Sequence, residues 1–119
     1  MVEQLESAFS CSCSCGYGLT ETSPVLTIAI IKSHLKEDSS SHYKRAAMTG
    51  IELPGNEVRV VDKNGRDVIQ DGKMIGEIIT KSNLVMKGYW KLPEETAKAI
   101  KEGWFYTGDL ATVDSCLLY

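Results

Sequence analysis

Long apolar runs are scarce in this sequence. The longest covers residues 25–31 and is interrupted by Thr27, whereas a helix that crosses a bilayer needs about 20 apolar residues. Near the amino terminus, Glu3 and Glu6 stand where a secretory signal would carry positive charge before a longer apolar stretch. We therefore expect no transmembrane segment and take a cytoplasmic location as the default. The final residues, LLY, are not a peroxisomal signal of the Ser-Lys-Leu type.

An excess of charge of one sign is also missing. Thirteen Lys and Arg residues are scattered among sixteen Asp and Glu residues, and the net charge is -3. Because nucleic-acid-binding domains gather basic residues on one face, we expect no nucleic-acid partner. The apolar share of 43% and the charged share of 24% are typical of a globular protein. A chain of 119 residues suits one small domain.

Cysteines are few and unevenly placed. Cys11, Cys13 and Cys15 crowd together and Cys116 stands alone, unlike the spread framework of a secreted disulfide-rich domain. We interpret them as reduced thiols in a loop rich in small residues. The alternative is a thiol or metal-binding protein, because three alternating thiols on one strand face could hold zinc or copper. No C-x-x-C pair completes a tetrahedral site, which makes this alternative the weaker one.

The first half of the chain predicts few regular elements. Residues 2–8 have weak helical periodicity, and residues 16–24, GYGLTETSP, are typical of a loop with unusual backbone demands. Residues 25–35 fit either a short helix or a buried strand, since a run this brief does not distinguish them. Residues 36–45 predict an exposed connector, with the two histidines solvated in or beside it.

A hairpin is the clearest structural signal. Val58 and Val60 alternate with polar neighbours, and Asn64-Gly65 offers two positive-φ positions for a tight turn between two strands. Residues 74–80 follow a further Asp-Gly turn and are rich in β-branched side chains, so we expect another strand there. These segments together predict a small antiparallel sheet.

A helix is predicted for residues 93–102. Pro93 suits its first turn, Gly103 its end, and Glu94 with Lys98 an i,i+4 ion pair. An apolar stripe on this helix is expected to cover the sheet: Leu92, Thr96, Ala99 and Ile100.

The loop at residues 16–24 holds groups that suit a nucleotide. The ring of Tyr17 can stack on a purine, the hydroxyl of Thr20 can donate to a phosphate, and the carboxylate of Glu21 can hold Mg²⁺. Gly16 and Gly18 allow the backbone to approach a ligand closely. Taken alone, such a loop is equally typical of a capping box or a bend.

A second candidate lies near the carboxyl terminus. The segment WFYTGDLATVD predicts an aromatic strand that runs into a Thr-Gly-Asp turn. Both oxygens of Asp109 could accept hydrogen bonds from vicinal ribose hydroxyls. By itself this residue is equally typical of a turn aspartate.

Four segments in order, GYGLTETSP, PGNEVRVVD, GEIITKSNLVMKGYW and GWFYTGDLATVD, resemble successive motifs of the adenylate-forming (AMP-dependent) acyl-CoA synthetase family. The resemblance covers residues 16–114 as a partial AMP-binding domain, between an atypical segment at residues 1–15 and an atypical tail at residues 115–119. It implies an α+β fold: a small, distorted antiparallel β subdomain with one or two helices, cut from the large N-terminal domain of an adenylate-forming enzyme.

Members of that family join a carboxylic acid, such as a fatty acid, to ATP as an acyl-adenylate and release pyrophosphate; the acyl group then passes to coenzyme A. The resemblance implies that Tyr17 packs on adenine, that Thr20 binds the phosphate and that Glu21 contacts Mg²⁺, the last two acting as catalytic residues. It also implies that Asp109 holds the ribose hydroxyls of ATP or AMP, and that the two loop glycines border the acyl pocket.

The family's Ser/Thr/Gly-rich phosphate loop and its C-terminal domain with the adenylation lysine have no counterpart here. We therefore expect the isolated chain to be catalytically inactive. Residues 25–31 predict an exposed apolar patch and self-association of the chain. The alternative from another class is a non-catalytic interaction module that uses the same β surface. Which carboxylic acid is activated does not follow from this sequence.

Overall fold

The structure is a computed structural model that describes residues 1–30 and 39–115. Within these ranges the chain forms two antiparallel sheets and three short helices, and the predicted α+β class with an antiparallel sheet is confirmed. The elements are α1 (Val2–Phe9), β1 (Gly16–Tyr17), a 3₁₀ turn (Thr20–Thr22), β2 (Thr27–Ile28), α2 (Ser39–Ala46), β3 (Ile51–Glu52), β4 (Asn56–Val61), β5 (Gly76–Ser82), α3 (Pro93–Ala99), β6 (Ile100–Lys101) and β7 (Trp104–Ala111).

The larger sheet has the strand order β4-β5-β7-β6, with every neighbouring pair antiparallel. β4 begins with the alternation that the sequence predicts, but Val60 with Val61 on β4 and Ile78 with Ile79 on β5 are consecutive buried residues. Since successive side chains of a strand point to opposite faces, both faces of this part of the sheet are covered. Phe105 on β7 is the largest fully buried side chain. The core cluster consists of Leu26, Val58, Val60, Val68, Ile78 and Val113.

The smaller sheet, β1-β2-β3, is joined to the larger one through Leu26, which is fully buried in that core. The Leu26 carbonyl accepts hydrogen bonds from the Leu53 amide at 2.9 Å and from the Asn56 side-chain amide at 3.2 Å. A long loop is thereby held against the sheet at fixed points. β2 lies in the segment for which the sequence left helix and strand open, and residues 31–35 of that segment lie outside the described residues.

The predicted Asn-Gly hairpin turn takes a different form. Only Gly65 has a positive φ, of 76°, whereas the predicted turn needs positive φ at both central residues. The Asp62 carboxylate explains the difference, because it accepts the Asn64 and Arg66 amides at 2.8 and 3.0 Å. Both hydrogen bonds lower the pKa of the Asp62 carboxyl group, and the bond from the Arg66 amide has the larger effect. The chain that returns from this turn forms a single antiparallel bridge with β4, between Asp67 and Val61. The main partner of β4 is therefore β5.

The helix predicted for residues 93–102 ends at Ala99. Ile100 and Lys101 instead form β6 and pair with β7, because the chain turns back at Gly103, where φ is 81°. The expected apolar stripe does not cover the sheet: no residue of α3 is buried, and Leu92 is 53% exposed.

The ion pair on α3 also differs from the expected one. The Lys98 ammonium contacts Glu95 at 2.7 Å, an i,i+3 pair, rather than Glu94. Both side chains of this pair are largely exposed, so it adds little to stability.

The connector predicted for residues 36–45 is wrong in its second half, where α2 begins at Ser39. Tertiary contacts explain this helix, since Ala46 at its end is buried and the Ala46 carbonyl accepts the Cys15 amide at 3.4 Å. The helix predicted for residues 2–8 is confirmed as α1. Residues 31–38 and 116–119, which hold His34 and Cys116, lie outside the described residues.

The apolar run 25–31 does not form one exposed patch in the described part of the chain. Leu26 and Ala29 are buried, whereas Val25 and Ile30 are exposed. The run is divided because Leu26 packs into the core cluster of the larger sheet, while Thr27 is buried within β2 between β1 and β3.

Candidate functional site

A bulge in β7 presents Asp109. β5 and β7 pair regularly at Ile79 with Tyr106 and again at Glu77 with Leu110, so that Ile78 alone faces residues 107–109. Gly108 has φ 79° within this bulge. The predicted Thr-Gly-Asp turn is therefore a bulge inside a continuous strand, which re-aims the side chain that follows it.

Side-chain hydrogen bonds fix the shape of this bulge. The Thr107 hydroxyl donates to the Ile78 carbonyl at 2.8 Å and accepts the Asp109 amide at 3.1 Å. The Gly108 amide donates to the Glu77 carboxylate at 3.0 Å. These bonds replace the ladder bonds that a bulge loses, and they set the direction of Asp109.

Asp109 meets Tyr17 from the distant loop. The Tyr17 hydroxyl donates to Asp109 Oδ2 at 2.7 Å, between residues 92 positions apart. Partial burial is the main cause that raises the pKa of Tyr17; a hydrogen bond with Thr107 opposes it, and the bond and charge of Asp109 add to it. The phenol therefore stays protonated at neutral pH and serves as a donor to the carboxylate.

The loop that follows Tyr17 is closely packed. Thr22, fully buried, donates its hydroxyl to the Leu19 carbonyl at 2.9 Å and accepts the Leu19 amide at 2.9 Å, closing the 3₁₀ turn that carries Thr20 and Glu21. A Cβ on Gly18 would overlap the Pro24 carbonyl. The glycine is required because the two limbs of the loop touch there.

Glu21 contacts a residue that sequence reasoning missed. Its Oε1 accepts the Tyr89 hydroxyl at 3.2 Å, and its main-chain carbonyl accepts the Met86 amide at 2.8 Å. Desolvation, followed by the hydrogen bond to Glu21, raises the pKa of Tyr89. The motif KGYW contains this tyrosine, but only the tertiary structure shows that it faces the loop.

Tyr17 and Asp109 line a cavity of about 500 Å³, together with Met48, Thr49 and Thr112. This volume lies within the usual range for small-molecule sites, roughly 300–1,000 Å³. Another cavity, of about 510 Å³, lies around Trp90 and is lined by neither Tyr17 nor Asp109. No sequence pattern points to Met48 and Thr49, which lie in the connection between α2 and β3.

The structure thus brings Tyr17 and Asp109 together and places Thr20 and Glu21 a few residues farther along the same loop. Gly16 pairs with Ile28 at the start of this loop. In residues 1–30 and 39–115, no hydrogen bond or ion pair joins Thr20 or Glu21 directly to Asp109. The cavity that Tyr17 and Asp109 line is not lined by Thr20 or Glu21, and Glu21 instead contacts Tyr89.

The alternating cysteines do not form a strand. Cys11, Cys13 and Cys15 are free thiols in an irregular segment. Among the described residues, no group of three His, Cys, Asp or Glu residues could hold a metal ion. No helix in the same part of the chain is long and apolar enough to cross a membrane.

Comparison with known proteins agrees with this geometry. The model of the family described as AMP-binding enzyme matches residues 1–90. The long-chain-fatty-acid–CoA ligase of Thermus thermophilus is 43% identical over 101 residues, which are 83% of this chain and 19% of that ligase.

Solved structures give the same result. Apo MatB from Rhodopseudomonas palustris has a TM-score of 0.77 at 29% identity, covering 98% of this chain and 21% of MatB. The N-terminal domain of FACL13 from Mycobacterium tuberculosis has a TM-score of 0.75 at 28% identity, covering 97% of this chain and 26% of that domain. The chain spans about a fifth of the length of the curated relative. Because the family model covers three quarters of it, this chain belongs to the AMP-binding enzyme family.

Proposed function

We propose that this chain supplies the adenosine-binding part of an ATP-dependent, AMP-forming acid-CoA ligase. In the proposed reaction a carboxylate oxygen attacks the α-phosphorus of ATP and pyrophosphate leaves; the thiol of coenzyme A then attacks the acyl carbon and AMP leaves. The name of the Thermus relative favours a fatty acid as the carboxylic acid. The observation that carries the proposal is the 2.7 Å contact between Tyr17 and Asp109, which both line a cavity of about 500 Å³.

Asp109 is suited to the ribose. Its Oδ2 already accepts the Tyr17 hydroxyl, and Oδ1 faces no donor in the described part of the chain. A carboxylate offers about four acceptor positions, so both ribose hydroxyls can still be bound. Tyr17, held by this bond, would present its ring to adenine in one orientation. Pre-ordered groups of this kind reduce the entropic cost of binding.

Thr20 and Glu21 are suited to the phosphates. Thr20 is exposed, and its hydroxyl makes no hydrogen bond within the described ranges, so it is available as a donor. Glu21 would hold Mg²⁺, which supplies positive charge against the phosphate oxygens when bound. One carboxylate with a free oxygen fits this ion, because Mg²⁺ at nucleotide sites takes one or two carboxylates and completes its shell with phosphates and water.

A titration with AMP tests the proposal. The 119-residue chain is expected to bind AMP with a Kd of about 1 mM or tighter and to bind 2′-deoxy-AMP more weakly, because one ribose donor to Asp109 is lost. Isothermal titration calorimetry measures both. With Mg²⁺, ATP, coenzyme A and a fatty acid, pyrophosphate release is expected to stay at background. Equal affinity for the two nucleotides, or none for AMP, would overturn the assignment.

A second candidate function is interaction with another copy of this chain. Ile75 and Leu110 are 63% and 72% exposed and line one cavity beside Met74, an exposure that is typical of interaction surfaces. We expect sedimentation velocity to show concentration-dependent association that I75K/L110K abolishes. Leu84→Lys, at an exposed site outside this cavity, is the matched control. A monomer at all concentrations contradicts this candidate.

A further inference from the structure

Two hydrogen bonds tie the segment at residues 86–89 to the loop that carries Glu21. The Met86 amide donates to the Glu21 carbonyl at 2.8 Å, and the Tyr89 hydroxyl donates to Glu21 Oε1 at 3.2 Å. The first bond fixes the backbone of Glu21, and the second fixes its side chain. They come from residues 65 and 68 positions away in sequence, in a region to which the resemblance assigned no role.

Tyr89 is itself held in place by α3. Its amide donates to the Thr96 hydroxyl at 2.9 Å, and its carbonyl accepts the Leu92 amide at 3.2 Å. The preceding Gly88 lies so close to α3 that an added Cβ would come within 2.7 Å of the Thr96 methyl group. These contacts hold in place the backbone that carries the Tyr89 phenol, although the cleft beside this side chain is open.

The 3₁₀ turn that carries Glu21 does not itself restrain the Glu21 side chain. The 3₁₀ turn is closed by Thr22 and Leu19, and these bonds leave the Glu21 side chain free to rotate. In the described part of the chain, Tyr89 is the only residue that donates a hydrogen bond to the Glu21 carboxylate. Since Tyr89 occupies Oε1, Oε2 is left to face a ligand.

We propose that Tyr89 is a positioning residue for the Glu21 carboxylate, orienting it for a Mg²⁺-bound nucleotide phosphate. This inference rests on the proposed function. Partners outside the metal shell commonly set the direction of a ligating carboxylate, and their loss weakens metal affinity by roughly 10–100-fold. Because Tyr89 is not fully buried, the effect is expected at the lower end of this range. A purely structural role for the bond would affect unfolding but not the response to Mg²⁺.

The experiment is a Mg²⁺ titration of the full 119-residue chain in the presence of a fluorescent ATP analogue. For Tyr89→Phe, the Mg²⁺ concentration at half-saturation is expected to rise about tenfold, while affinity for AMP without Mg²⁺ changes less than about twofold. Tyr106→Phe is the matched control, because its ring contacts Lys101, at 4.6 Å, rather than Glu21. Circular dichroism melts of each variant report on folding separately.

Two further variants sharpen the outcome. Glu21→Asp keeps the charge but shortens the side chain, so it is expected to match Tyr89→Phe. Because residues in one network are non-additive, adding Tyr89→Phe to Glu21→Gln is expected to change the Mg²⁺ response no further.

The possible failures are distinguishable. If the unaltered chain binds no nucleotide, the proposed function fails and this inference fails with it. If the chain binds AMP and Mg-ATP but Tyr89→Phe leaves the Mg²⁺ half-saturation unchanged, only the positioning role is overturned. A tenfold shift that persists in the Glu21→Gln background also overturns it, because Tyr89 would then act through another group.

Discussion

Replacing Gly18 by Ala is expected to lower the free energy of unfolding by about 3 kcal/mol and to abolish AMP binding. The added methyl group would overlap the Pro24 carbonyl and come within 2.7 Å of the Val25 Cα. Both obstacles are backbone, which cannot rotate away as a side chain can. The loop would have to open, and Tyr17 would then lose its place beside Asp109. Urea denaturation followed by circular dichroism measures the change in stability.

Gly16→Ala is the matched control for this substitution. Its added methyl group would lie 3.1 Å from the Thr27 carbonyl and 3.7 Å from the Val25 side chain, contacts that small adjustments relieve. The expected loss of stability is below about 1 kcal/mol, and any weakening of AMP binding is expected to be smaller than for Gly18→Ala. Equal effects of the two substitutions would contradict the close approach of the loop limbs at Gly18.

Replacing Asp109 by Ala is expected to weaken AMP binding about 100-fold. Two hydrogen bonds from ribose hydroxyls to a charged acceptor contribute about 1.5 kcal/mol each at the lower end of their usual range, which suits an exposed carboxylate, and a total of about 3 kcal/mol corresponds to roughly two powers of ten. Asp109 is exposed, so stability is expected to change little. Calorimetric titration is expected to detect no binding by the variant at AMP concentrations that saturate the unaltered chain, and an unfolding curve checks the fold.

Tyr17→Phe is the control that distinguishes the effect of losing the Asp109 carboxylate from the effect of losing only its orientation. It removes the 2.7 Å hydrogen bond but keeps the ring, for which we propose a contact with adenine. A weakening of only a few fold is expected, because Asp109 keeps its charge and both of its oxygens. If Asp109→Ala binds AMP as well as the unaltered chain does, the ribose role of this residue is refuted.

Much of the larger sheet could be predicted from the sequence. β4 and β5 alternate in hydrophobicity or are rich in β-branched residues, and these local signals specify both the strands and their buried faces. Elements that depend on distant contacts could not be predicted in the same way. α2 has polar residues over most of its length and is held through Ala46, and α3 gives way to β6 because β7 supplies a pairing partner.

The candidate site likewise combines features that the sequence predicts with features that depend on distant contacts. The resemblance placed Tyr17, Thr20, Glu21 and Asp109 in one nucleotide site, and the structure places the first and last of them in contact. The bulge that aims Asp109 depends on its register with β5, which no local pattern specifies. Tyr89 was missed because its hydrogen bond to Glu21 joins two segments with no pairing signal between them.

The contact between Tyr17 and Asp109 also sets when this site can form during synthesis. Closing a chain of 92 residues costs on the order of 4 kcal/mol in entropy if the intervening segment is unstructured. At ribosomal elongation rates, the aspartate follows the tyrosine by on the order of ten seconds. During that interval a nascent chain can pair β4 with β5, yet it holds only half of the candidate site. Under the proposed function, nucleotide therefore stabilises the finished fold and does not guide its early steps.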